Sequence, residues 1–186
     1  GPRTLLVGVV HVNVKSQDDD KDWVDDVLKQ ADNMQQAGSD LLDIQVIGEI
    51  SRQHMSSLWP FPDPDDELRR LVPVLRKMRR NIDVPICVTT RFALTAERVL
   101  ELGVDVIRDW SGLCFDPALA RVVNNYDAGL VLGHARGSPD SWPGLSPLSD
   151  PAAGVVKDLE NSMARAREVG VDSSRIVLDP GFEHGK

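Results

Sequence analysis

Glu101-Leu102-Gly103-Val104-Asp105-Val106-Ile107-Arg108-Asp109 closes a helical pattern on a glycine and opens an apolar run directly after it. A glycine just past a helix end suits the left-handed C′ position, from which the chain turns back to begin another element. The same order recurs at Gln36-Ala37-Gly38-Ser39-Asp40-Leu41-Leu42-Asp43, and again at Glu168-Val169-Gly170-Val171-Asp172 ahead of Ile176 to Asp179. The repeating unit is helix, glycine stop, strand.

Outward from these stops, strand-like runs stand at Leu5 to Val12, Leu41 to Ile47, Val84 to Thr89, Val104 to Asp109, Ala128 to His134 and Ile176 to Asp179. They are almost continuously apolar, as strands covered on both faces should be. Between them, Trp23, Val27, Ala31 and Met34 share one helix face, as do Leu68, Leu71, Leu75 and Met78, and Val155, Leu159, Met163 and Ala166. Pro73 inside the second pattern is expected to kink that helix or to mark a late start. Strand and helix in alternation, with no reversal signal, predict an α/β protein with a parallel sheet. A (β/α)8 TIM barrel fits better than an open doubly wound sheet, and such a barrel needs about 250 residues. The chain therefore reads as about the first six βα units of one domain spanning residues 1–186. A barrel without its last two units is expected to expose strand edges and apolar surface, and not to behave as a stable monomer.

The formal net charge of −8 argues against a broad contact with nucleic acid or anionic lipid, and points to small-molecule partners. The run from Thr4 to Val14 is interrupted by Gly8, His11 and Asn13, so it reads as a strand and not as a signal-peptide core. No run approaches the roughly 20 apolar residues of a membrane helix. Two cysteines, Cys87 and Cys114, fit reduced thiols, and the expected compartment is the cytoplasm.

In a barrel the chemistry gathers at the carboxyl ends of the strands, which here carry His11, Asn13, Asp43, Glu49, Thr89, Arg108, Asp109, His134 and Asp179. Asp43 and Asp109 can equally cap their loops, and His134 can be a hydrogen-bonded core imidazole. Asp179 is singled out, because Pro180-Gly181 fixes it in a rigid turn at the end of an apolar strand, where a carboxylate must find a partner. A metal site built from His11, His134, His184 and Asp179 lacks local ligand spacing. The ending Gly181-Phe182-Glu183-His184-Gly185-Lys186 falls one residue short of a phosphate loop. Trp59-Pro60-Phe61-Pro62-Asp63-Pro64 reads as a stiffened loop with its aromatics over the barrel mouth.

Four strand-end motifs carry a resemblance: Val84-Pro85-Ile86-Cys87-Val88-Thr89-Thr90, Val106-Ile107-Arg108-Asp109-Trp110-Ser111-Gly112, Val131-Leu132-Gly133-His134-Ala135-Arg136-Gly137-Ser138-Pro139, and Ile176 through Asp179-Pro180-Gly181 to Gly185-Lys186. In order and spacing they resemble the strand motifs of the dihydropteroate synthase family. Leu6-Val7-Gly8-Val9-Val10-His11-Val12-Asn13 is similar to its first strand, and Gly48-Glu49-Ile50-Ser51-Arg52 to its second loop. The resemblance implies a pterin-binding barrel that joins 6-hydroxymethyl-dihydropterin diphosphate to p-aminobenzoate in folate biosynthesis, with Mg2+ on the departing diphosphate and a homodimer as the assembly. It implies Asp179 and Arg52 as catalytic residues. Asp179, Thr89, Arg108, Asp109 and His184 would line the pterin. His11 and Arg52 would hold diphosphate, with His11 at the metal. The site departs from the family pattern. His11 stands for an Asn, Thr89 for an Asp and Arg108 for an Asn, Glu183 and His184 replace a Gly and a Phe, and loop one reads Asn13-Val14-Lys15-Ser16-Gln17. These changes keep open a repurposed paralogue that binds pterin or regulates, and a pterin-dependent methyltransferase. They also predict an ion pair between Arg108 and Asp179.

Overall fold

The structure, a computed structural model, describes residues 3–13, 23–47, 62–137, 141, 144–146 and 148–181. The elements run β1 Val7–Asn13, α1 Trp23–Gln36, β2 Leu41–Ile47, α2 Pro64–Asn81, β3 Ile86–Thr89, α3 Ala93–Glu101, β4 Val106–Asp109, α4 Ala118–Asn125, β5 Gly129–Gly133, α5 Pro151–Glu168 and β6 Ile176–Asp179. Each strand foreseen in the sequence is present. The chain forms two compact units, Gly1–Thr89 with Arg98–Asp105, and Thr90–Glu97 with Val106–Lys186.

In the first unit β1 pairs in parallel with β2, Val7 opposite Leu41, and β2 with β3, Leu42 opposite Ile86. Val10, Ile44 and Val88 are fully buried there, as are Ala31 of α1 and Leu71, Leu75 and Met78 of α2. In the second unit β4 pairs in parallel with β5, Val106 opposite Gly129, and β5 with β6, Leu130 opposite Ile176. Its core is formed by Ile107, Leu119, Val123, Leu130, Leu132 and Ala166. Apolar side chains stay exposed on the outer strands, Leu5, Leu6 and Val7 in the first unit and Val177 and Leu178 in the second. Among the described residues no helix is long and apolar enough to cross a membrane.

The three glycine stops all form. Gly38, Gly103 and Gly170 take φ of +96°, +88° and +99°. In each case the next residue donates its N–H back across the end of the helix: Ser39 to the Met34 carbonyl, Val104 to Val99 and Val171 to Ala166. A fourth stop of the same kind follows α4. Ala128 donates to the Val123 carbonyl, and the left-handed residue is Asp127 at φ +52°. The search for glycine could not find it, because aspartate is among the few other residues that tolerate this region.

Helix α2 departs from expectation twice. Pro64 is its first residue and not the last of a loop, with Asp63 as N-cap accepting from the Asp66 N–H at 2.8 Å. The helix also runs through Pro73, neither starting late nor stopping there. An internal proline costs about 3 kcal/mol. Burying Leu71, Leu75 and Met78 completely returns about 1.5–3 kcal/mol each, which outweighs it.

Asp40 sits just before β2 and gathers the start of the chain. Its carboxylate accepts from both Arg3 guanidinium nitrogens and from the Leu6 N–H at 2.8 Å. The Arg3 hydrogen bond, and then the Leu6 amide, lower its pKa from 3.8 to about 2. A depressed carboxylate stabilises the fold above its unfolded value and loses that contribution as pH falls through the folded one. We expect NMR titration to place the Asp40 carboxyl midpoint near 2, and the Leu6 amide resonance to move with it. In Arg3→Ala the midpoint should return toward 3.8.

Candidate active site

Because the strands in each unit run parallel, their carboxyl-terminal residues lie together at one end of that unit. In the second unit this brings Asp179 and Arg108 into contact. Asp179 lies opposite Gly133 on β5 and Arg108 opposite Val131, so the arginine side chain reaches across β5 to the carboxylate of β6. Arg108 Nη2 donates to Asp179 Oδ2 at 2.5 Å, the ion pair that the sequence predicts. Asp179 Oδ1 accepts from the Gly181 N–H at 2.8 Å, so the turn itself orients the carboxylate. Gly181 has φ +57°, and a Cβ there would fall 2.5 Å from the His134 carbonyl oxygen, so only glycine fits the turn. The two side chains retain 30% and 26% of their surface, so the pair is open to a ligand.

Asp109, the neighbour of Arg108, serves the loop. It is completely buried, and its Oδ1 accepts from the Ser111 N–H and hydroxyl at 2.8 and 2.7 Å. Its Oδ2 accepts from the Leu113 N–H at 2.6 Å. Burial pushes its pKa up, against the pull of the Ser111 and Leu113 hydrogen bonds. Asp109, expected to line the pterin, is enclosed and holds the loop after β4 through these bonds.

In the first unit the corresponding strand ends carry Asp43 and Thr89. The Thr89 hydroxyl donates to the buried Asp43 carboxylate, with Oδ1 at 2.8 Å and Oδ2 at 3.0 Å, and Gln45 Nε2 donates to Oδ2 at 2.8 Å. His11 and Asn13 are both exposed on β1. Arg52, Glu49, Glu183, His184, most of loop one and the aromatics Trp59 and Phe61 lie outside the described residues. His134, in the second unit, is nearly buried, and its Nε2 lies 3.0 Å from Asp158 Oδ2 of α5. Sequence reasoning missed that partner and its neighbours, although Asp158, Ser162 and Arg165 stand at helical spacing and form a polar stripe on α5.

Asp109→Ala would strand two backbone N–H groups, on Ser111 and Leu113, in a buried loop. We expect a loss of about 2–4 kcal/mol in urea unfolding. Asp109→Asn, which keeps one acceptor, should cost about half of that.

The arrangement was compared with known proteins. The family described as pterin binding enzyme matches residues 10–186. The chain is 28% identical to the dihydropteroate synthase of Synechocystis over 188 residues, covering 100% of this chain and 63% of that protein. It is 30% identical to the dihydropteroate synthase of Bacillus subtilis, covering 99% of this chain and 61% of that protein. The chain thus spans less than two thirds of these relatives. The crystal structure of Clostridium difficile dihydropteroate synthase, determined in the presence of pteroic acid, superposes with a TM-score of 0.85 at 32% identity, over 100% of this chain and 67% of that one. The Burkholderia cenocepacia enzyme complexed with 7,8-dihydropteroate gives 0.81 at 30% identity, over 100% and 61%. The fold class is α/β, with six parallel strands that correspond to part of a (β/α)8 barrel. With its strand-end motifs matched across almost its whole length, the chain belongs to the pterin-binding enzyme family.

Proposed function

We propose that this chain serves a dihydropteroate synthase reaction of folate biosynthesis, in which 6-hydroxymethyl-dihydropterin diphosphate is joined to p-aminobenzoate. The observation that carries this reading is the Asp179 carboxylate at the end of β6, fixed by the Gly181 amide and partly open to solvent. A fixed carboxylate accepts from an amino group and a ring N–H side by side, which suits the edge of a pterin. Two relatives of known structure, solved with pteroic acid and with 7,8-dihydropteroate, support the substrate class.

With pterin held there, the p-aminobenzoate nitrogen attacks the methylene carbon, the bond from that carbon to the diphosphate oxygen breaks, and the nitrogen gives up a proton. Holding the two reactants in line supplies much of the acceleration, and positive charge must meet the diphosphate as it leaves. We assign that charge to Arg52, with His11 beside the diphosphate, and the lining of the pterin to Thr89, Arg108 and His184. Asp109 keeps the loop after β4 in place. Arg108 has a second effect, because it occupies an oxygen of Asp179 that a pterin edge would use.

Mg2+ on the departing diphosphate belongs to the proposal, since this ion is held largely by substrate phosphates and water with only one or two groups from the protein. The His11 imidazole suits Mg2+ poorly and would meet the diphosphate instead, and no step is routed through the metal. A homodimer in the cytoplasm, with pterin and p-aminobenzoate as its small-molecule partners, completes the proposal.

Calorimetric titration of the full-length protein with a dihydropterin tests it. Asp179→Asn should weaken binding about tenfold or more, as the loss of a charge-assisted hydrogen bond requires. Arg108→Asn should tighten it by freeing the carboxylate. Failure of the wild-type protein to bind dihydropterin, or equal affinity in Asp179→Asn, would overturn the reading.

A further inference from the structure

In the second unit, a cavity of about 210 Å³ lies where the end of β5 and the segment after β4 meet the polar stripe of α5. Two guanidiniums line it, Arg136 from the end of β5 and Arg165 from α5. Ser111, Ser162, His134 and Cys114 also line it, with the two hydroxyl protons already given to Asp109 and to the Asp158 carbonyl. We propose that this cavity is a second ligand site, built for a phosphate group.

Three observations carry the proposal. The first is size, because pockets for drug-sized ligands run from about 300 to 1,000 Å³. The cavity is smaller and suits a compact ion with its water. The second is charge. In a chain with net charge −8, the cavity sets two guanidiniums against one carboxylate, Asp158. That carboxylate is paired with His134 and is 54% exposed, so it turns largely to solvent. The third is an incomplete donor inventory. Arg165 Nη2 donates to the Gly112 carbonyl at 2.8 Å and to Ser162 Oγ at 3.0 Å. Both of those bonds use Nη2, so Nη1 keeps its N–H groups for an acceptor. Arg136 is fixed from Nη1 to the Ser146 carbonyl at 3.0 Å.

The shape of the donor set separates phosphate from a carboxylate ligand. The charged donors, Arg136 beyond the end of β5 and Arg165 on α5, come from separate stretches of chain and so reach the space from two sides. A tetrahedral oxyanion satisfies donors that arrive from several sides, and guanidiniums bind phosphate oxygens in pairs. The source is either free inorganic phosphate or the phosphate of a small monoester. Asp179 is not among the residues that line the cavity.

Cys114 supplies a reporter, because it is exposed while Cys87 is buried. We would titrate the full-length protein with inorganic phosphate and with methyl phosphate by calorimetry, and follow iodoacetamide labelling of Cys114. Binding of either ligand with a single site, and labelling slowed about tenfold at ten times its Kd, supports the proposal, and the preferred ligand identifies the source. Arg165→Gln and Arg136→Gln should each weaken binding about tenfold or more. Arg136→Gln keeps the test valid if loss of the Arg165 contact to Gly112 disturbs the fold, and Arg121→Gln, on the exposed face of α4, should bind like wild type. No saturable binding would overturn the proposal. So would wild-type affinity in both cavity variants, or a loss confined to His11→Ala and Arg52→Ala, which would place the ion at the diphosphate site instead.

Discussion

Parallel pairing is the constraint on which the rest of this structure depends. A strand that must lie parallel to its predecessor cannot be reached by a tight turn, so the chain has to cross back over the sheet and begin again from the same end. Helices make that return here, and each return needs a clean stop. Gly38, Gly103 and Gly170 provide three, and Asp127 a fourth, by the same backbone bond across the last helical turn. Because every strand then points the same way within its unit, polar residues scattered along the sequence meet at one end of that unit. Arg108 and Asp179 are far apart in the chain and in contact in the fold for that reason.

At that end the electrostatics are arranged in contrasting ways. Asp109 is fully enclosed and spends both oxygens on its own loop, whereas Asp179 keeps one oxygen on a backbone amide and the other on an arginine. The enclosed carboxylate gives rigidity, and the open one stays within reach of solvent. The pairing of Arg108 with Asp179 is only partly buried, so it is cheaper to break than an enclosed pair, whose disruption costs about 3–5 kcal/mol. A ligand that offers two donors to Asp179 competes with the arginine on workable terms.

Much of the frame was legible in the sequence because it rests on local rules. Strands covered on both faces read as apolar runs, and glycine marks the left-handed stops. Asp127 escapes a glycine pattern because a residue other than glycine takes the same conformation, and α2 begins well before Pro73 because burial of Leu71, Leu75 and Met78 outweighs a local penalty. Asp179 is legible from its turn, and its partner from the family resemblance, which puts Arg108 at a strand end beside it. The pairing of His134 with Asp158 was not, since it joins a strand end to a helix 24 residues further on. The polar stripe on α5 was the available signal, hidden beside the apolar face formed by Leu159 and Ala166.

Gly133 shows how unevenly this fold constrains its own sequence. A Cβ at this position would lie 2.5 Å from Trp110 Cα and 2.8 Å from its carbonyl oxygen, so the ends of β4 and β5 touch backbone to backbone. Mutational drift has no room there, because any side chain would push two strands apart. Arg108, whose side chain is partly exposed only two residues before Trp110, faces no such wall. The evolutionary freedom of this protein is therefore unequal over a few ångströms: the backbone contact at Gly133 is locked, and the side chain of Arg108 has room to be exchanged.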